Sequence, residues 1–101
     1  MLKEIKATAE HLLSKIPNKP EVGIILGTGL GGLVNEIQTE IKIKYDTIPN
    51  FPVSTVQGHE GQLIFGKLGK KNVVAMQGRF HFYEGYSLGE ITFPVRVMKS
   101  M

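Results

Sequence analysis

Apolar residues recur at spacings of three and four along the first sixteen positions: Leu2, Ile5, Ala9, Leu12, Leu13 and Ile16, with charges between them. That period predicts an amphipathic packing helix ending before Pro17. Pro17-Asn18-Lys19-Pro20 reads as a connector. Val22 to Leu26 is a continuous apolar run, the pattern of a buried strand. A glycine-rich loop follows directly, and Leu30, Leu33, Val34 and Ile37 then return to helical spacing. Ile41, Ile43 and Tyr45 alternate with Lys42 and Lys44, which predicts a strand with one wet face. Pro49 and Pro52 force an extended path. Residues 58–61 read as a loop. Residues 62–67 and 72–77 predict the two strands of a hairpin, with Gly69 supplying the turn. Leu88, Ile91, Val95 and Met98 predict a second helix, and Ser87 and Glu90 have the spacing of a capping box. Pro94 falls inside that pattern. An interior proline costs about 3 kcal/mol, so a kink or a delayed start is expected. The sequence stops at Ser100-Met101 with no terminating signal, the pattern of a helix cut short.

Composition narrows the class. A chain of 101 residues is one domain or part of one, with a modest core. Its 42% apolar content excludes disorder. No apolar run is long enough to span a bilayer. Lys3, Glu4, Lys6 and Glu10 interrupt the N-terminus, which excludes a signal peptide. The absence of cysteine excludes a disulfide framework and thiolate metal sites, and suits an intracellular, cytoplasmic protein. The net charge is +3 and the lysines are scattered, so neither nucleic acid nor membrane is an expected partner. The 12 glycines cluster at 23–32 and 58–69, the distribution of functional loops and not of a repeat.

Candidate chemistry concentrates in Met76-Gln77-Gly78-Arg79-Phe80-His81-Phe82-Tyr83-Glu84-Gly85-Tyr86. Arg79, His81 and Tyr83 alternate with Phe80 and Phe82. In an extended backbone the guanidinium, imidazole and phenol would line one wall. Taken singly, each also fits the solvated face of an edge strand. Arginine presents a rigid fork suited to phosphate oxygens, and this chain favours lysine ten to two. The competing role for Arg79 is an ion pair with Glu84 or Glu60. Gly27-x-Gly29-x-x-Gly32 matches a dinucleotide fingerprint, with Asp46 near the acidic position. Against that reading, the following helix is short and the next strand alternates Ile with Lys. The narrower inference is that backbone N–H groups approach an anion at a helix start, with Thr28 adding a hydroxyl. His59 lies on a glycine-flanked loop, the setting of a lid, so residues 56–61 are expected to be poorly ordered. His11 belongs to the first helix, and no acidic cluster or paired His completes a metal site. Neither a cysteine nor a serine in a nucleophile elbow points to covalent catalysis.

Gly78 to Tyr86 resembles the core motif of the trimeric purine nucleoside phosphorylases. Four more pieces occur in that family's order: Gly27-Thr28-Gly29-Leu30-Gly31-Gly32, Ile48-Pro49-Asn50-Phe51-Pro52 with Ser54-Thr55-Val56, Gly58-His59-Glu60-Gly61, and Thr92-Phe93-Pro94-Val95-Arg96-Val97-Met98. The resemblance covers residues 21–101 and implies an α/β fold, a mixed sheet with surrounding helices, truncated to the N-terminal part of a single phosphorylase domain. Residues 1–20 would be a packing helix and connector. The implied reaction is phosphorolysis of purine (deoxy)ribonucleosides to free base and (deoxy)ribose 1-phosphate, in purine salvage. The resemblance places Thr28, Gly29, Arg79, His81 and His59 at the phosphate, with His81 and His59 in catalytic roles, and Tyr83 at the ribose. Tyr83 equally fits an ordinary half-buried aromatic. No metal or organic cofactor is implied, because phosphate is itself a substrate. A homotrimer is implied for the full-length protein. The base-recognition residues would lie beyond Met101, so the preferred purine is not legible. Three other readings stay open: a nucleotide-binding module built on residues 27–32 with Asp46, a relative of the methylthioadenosine phosphorylases, which share the glycine loop, and a structural fragment without activity of its own. The run Tyr83-Glu84-Gly85-Tyr86 fits the purine nucleoside branch better.

Overall fold

A computed structural model describes residues 2–26, 28–52, 61–78 and 88–101. Helix α1 spans Leu2–Leu13 and helix α2 spans Leu88–Ser100. Strands β1 (Val22–Leu26), β2 (Gln38–Lys44), β3 (Gln62–Leu68) and β4 (Lys71–Gln77) form one sheet in the order β1-β4-β3-β2. β1 runs parallel to β4, and the other neighbours are antiparallel. The sheet is therefore mixed, as the family resemblance implies.

β3 and β4 are central, and their side chains alternate between two cores. Leu63, Phe65, Val74 and Met76 face Ile5, Ala9 and Leu12 of α1 and Phe93 and Val97 of α2. Ile64, Val73 and Ala75 face the other way, toward Leu26 and Ile37, with Leu33 and Val34 packed against them. Strands covered on both faces need continuous apolar runs, which Leu63-Ile64-Phe65 and Val73-Val74-Ala75-Met76 supply.

The helices depart from expectation in detail. α1 ends at Leu13, and the turn beyond it tightens through Lys15 N–H to the Leu12 carbonyl at 3.0 Å. The predicted short helix after the glycine loop is a 3-10 helix, Thr28–Glu36. Glycine at 29, 31 and 32 lowers α-helical preference there by about 1 kcal/mol each. α2 starts at Leu88 and runs through Pro94, so its start is not delayed. Pro94 is fully buried, and the packing of α2 against α1, and of Phe93 and Val97 into the core under the sheet, offsets the missing N–H bond.

β1 differs more. Its apolar run predicts burial, yet Val22 is 43% exposed and Ile25 is 41% exposed. β1 is an edge strand here, and a residue run cannot report what lies beside a strand.

Glycine is demanded at two positions, one by a positive φ and one by a close backbone approach. The hairpin closes through Gly69 and Lys70, with Gly69 at φ 65 and Leu68 paired with Lys71. A positive φ at the first central residue alone is the type II′ pattern. Gly66 lies beside the irregularity in β2 between Thr39 and Ile41, where a Cβ would stand 2.2 Å from the Gln38 carbonyl oxygen. That neighbour is backbone and cannot swing aside. Gly66→Ala should therefore destabilise the full-length protein by about 1–3 kcal/mol through overpacking. Urea denaturation checks this; an unchanged midpoint would refute it.

Candidate functional site

The parallel pairing of β1 with β4 puts Leu26 opposite Gln77. The glycine loop leaves the sheet after Leu26, and the Arg79 stretch leaves it after Gln77 and Gly78. Both departures thus occur side by side at the carboxyl ends of two adjacent parallel strands. Crevices outside such ends are the usual ligand sites of open α/β sheets. β3 runs the other way, so its first residue, Gln62, also pairs with Gln77. The segment carrying His59 therefore rejoins the sheet at the same edge, through Gly61. Three pieces distant in sequence meet at one end of the sheet.

Of the candidate residues, Thr28 opens the 3-10 helix and Gly29 follows within it. His59, Arg79, His81 and Tyr83 lie outside the described residues, as do Gly27, Ser87 and residues 56–60 of the expected lid. Gly61, the last lid position, is half-buried.

The approach to residue 53 is well anchored. Asn50 takes φ 66, a left-handed conformation that asparagine tolerates better than most residues. The buried Thr8 hydroxyl donates to the Pro49 carbonyl at 2.9 Å, and Asn50 Nδ2 donates to Thr8 Oγ1 at 3.3 Å. Phe51 packs between Tyr45 (ring centroids 5.6 Å apart) and Phe93 (6.0 Å). Across the edge, Gln62 Nε2 donates to Gln77 Oε1 at 2.8 Å.

Sequence reasoning missed Tyr45. It reads as the last apolar position of an edge strand, and no local signal marks it further. In the structure it is only 4% exposed, begins the 3-10 turn Tyr45–Thr47, and donates its hydroxyl to the Gly78 carbonyl. Its N–H donates to the Gly61 carbonyl at 3.1 Å. Burial pushes the phenol well above its ordinary range, so it stays protonated and donating at neutral pH. An acid whose folded pKa is raised contributes stability that is intact below the unfolded value, about 10 for tyrosine. That contribution is lost as pH climbs from there toward the folded value.

The topology disagrees with a dinucleotide site. In that fold the acidic residue ends a parallel strand beside the first one. Asp46 instead follows β2, at the far edge of the sheet from β1 and antiparallel to its neighbour. Among the described residues, no group of acidic and imidazole side chains could hold a metal, and no helix is long and apolar enough to cross a membrane.

The family model of the phosphorylase superfamily matches residues 21–101. Purine nucleoside phosphorylase 1 of Geobacillus stearothermophilus is 59% identical over 97 residues, which cover 96% of this chain and 35% of the relative. Purine nucleoside phosphorylase 1 of Bacillus subtilis is 54% identical, over all of this chain and 37% of the relative. A crystal structure of a purine nucleoside phosphorylase in complex with ribose-1-phosphate superimposes with a TM-score of 0.88 at 50% identity, covering 97% of this chain and 36% of that one. The chain belongs to the phosphorylase superfamily, among relatives that are purine nucleoside phosphorylases, and it spans about a third of their length.

Proposed function

We propose that the full-length protein containing this chain catalyses phosphorolysis of purine (deoxy)ribonucleosides, releasing free base and (deoxy)ribose 1-phosphate in purine salvage. The register of Leu26 against Gln77 carries the proposal, because it brings the glycine loop and the Arg79 stretch to one sheet edge. A phosphate dianion needs converging donors from both. Backbone N–H groups at Thr28 and Gly29, the Thr28 hydroxyl, the Arg79 fork and the imidazoles of His81 and His59 are the proposed set. Phosphate is the nucleophile, so the protein supplies no covalent one. Its work is to hold the dianion against the anomeric carbon and stabilise charge as the bond to the base breaks. Tyr83 is assigned to the ribose, and phosphate is a substrate with no other cofactor required.

The expected result is base release from inosine or guanosine by the purified full-length protein, strictly dependent on added phosphate, with sugar 1-phosphate formed in equal amount. Base release that ignores phosphate would overturn the assignment. Faster cleavage of methylthioadenosine would move the protein to the methylthioadenosine branch. A cytoplasmic homotrimer is the proposed assembly, and light scattering of the full-length protein reads its mass.

A further inference from the structure

Gly61 and Gly78 are the described residues that bound the His59 and Arg79 segments, and both are held by one residue, Tyr45. A Cβ at Gly61 would stand 2.4 Å from Tyr45 Cε2 and 2.8 Å from the Gln77 carbonyl oxygen, so the backbone of residue 61 is wedged between that ring and the end of β4. The Tyr45 N–H bonds the Gly61 carbonyl. Gly78 turns the chain out of β4 at φ 97, a conformation suited to glycine, and its carbonyl accepts the Tyr45 hydroxyl. The ring itself has no freedom to swing: it is buried and packs at 48° against Phe51, which Phe93 backs in turn.

From this geometry we infer that Tyr45 is a positioning residue, which sets where the chain meets the sheet at Gly61 and leaves it at Gly78. The inference rests on the phosphorolysis reading only for its catalytic consequence. Backbone set by glycine has little stiffness of its own, so the direction taken at Gly61 and Gly78 needs an outside restraint. Tyr45 supplies one to both from a single rigid ring. Site geometry held from behind in this way governs rate steeply, since displacements near 1 Å in a positioned group cost on the order of a hundredfold.

The test compares Tyr45→Phe with Leu12→Ala in the full-length protein. The first keeps the ring and removes the donor; the second creates a cavity in the core cluster that also holds the ring, without removing either contact to the glycines. Hydrogen exchange is expected to accelerate about tenfold in peptides covering Gly78 in Tyr45→Phe, which loses the donor, and in peptides covering both Gly61 and Gly78 in Tyr45→Leu, which loses the ring as well. The KM for phosphate should rise about tenfold, whereas Leu12→Ala lowers the melting temperature and leaves that KM in place. If Tyr45→Leu does not fold, Tyr45→Phe still decides the restraint at Gly78. Unchanged exchange at Gly78 in Tyr45→Phe, or at Gly61 in Tyr45→Leu, overturns the inference, as does a kinetic loss no larger than that of Leu12→Ala. A wild-type protein without phosphorolysis would refute the function reading alone, because exchange at the two glycines still decides whether Tyr45 holds them.

Discussion

Replacing Arg79 with lysine in the full-length protein weakens the apparent affinity for phosphate about tenfold or more, because a loss of ~1.4 kcal/mol is one decade. Lysine retains the positive charge, so a purely electrostatic role would survive the exchange. It lacks the planar fork and is more strongly hydrated. Losing one charge-assisted hydrogen bond costs about 1.5–3 kcal/mol. If that bond is equal in ground and transition states, the loss falls on apparent affinity; if it tightens during bond breaking, turnover falls as well. Nucleoside affinity at saturating phosphate changes much less, since the proposed contact is to the anion and not to the base. Steady-state kinetics with each substrate varied separately makes the measurement. Equal effects on both substrates, or none on either, would contradict a phosphate-specific role for Arg79.

The largest expected loss of stability is at Leu63. Its side chain is 0% exposed, in the strand between β2 and β4, directly opposite Ile43 on one side and Met76 on the other. Both partners are buried members of the same core, with Phe65, Val74 and Val97. A cavity there is walled by paired strands, which relax little. Leu63→Ala should cost about 3–5 kcal/mol, the upper part of the range for buried leucines. Domains retain only about 5–15 kcal/mol in total, so the substitution removes a large share of the full-length protein's stability. Urea titration should show the midpoint falling with an unchanged slope. A cost below about 1 kcal/mol would mean that the site collapses freely, contrary to the packing described.

Local pattern was enough for the elements. Ile5, Ala9 and Leu12 repeat at helical spacing, and they are the residues α1 buries. Lys42 and Lys44 alternate with Ile41 and Ile43, and β2 has the wet face that this implies. Gly69 turns the hairpin where the gap between two apolar runs predicts a turn. These features follow from backbone periods of 3.6 and 2, which any short window of residues expresses. The motifs at 27–32 and 78–86 likewise named the family, because residue identities are carried whole in the sequence.

Neighbourhood was decided elsewhere. The strand order β1-β4-β3-β2 makes β1 an edge and removes Asp46 from the glycine loop, against the pattern of a dinucleotide site. The same order brings Leu26, Gln77 and Gln62 to one end of the sheet, which no spacing in the chain predicts. Gly66 needs to be glycine because of a carbonyl at Gln38, and Tyr45 matters because of carbonyls at Gly61 and Gly78. Each of these depends on partners more than a dozen residues away, with no periodic trace in the sequence. Sequence by itself determined which faces are apolar and which residues are equipped to hold an anion. Only the tertiary structure decided which segments share an edge and what holds them there, because strand pairing and close packing are set by the whole chain at once.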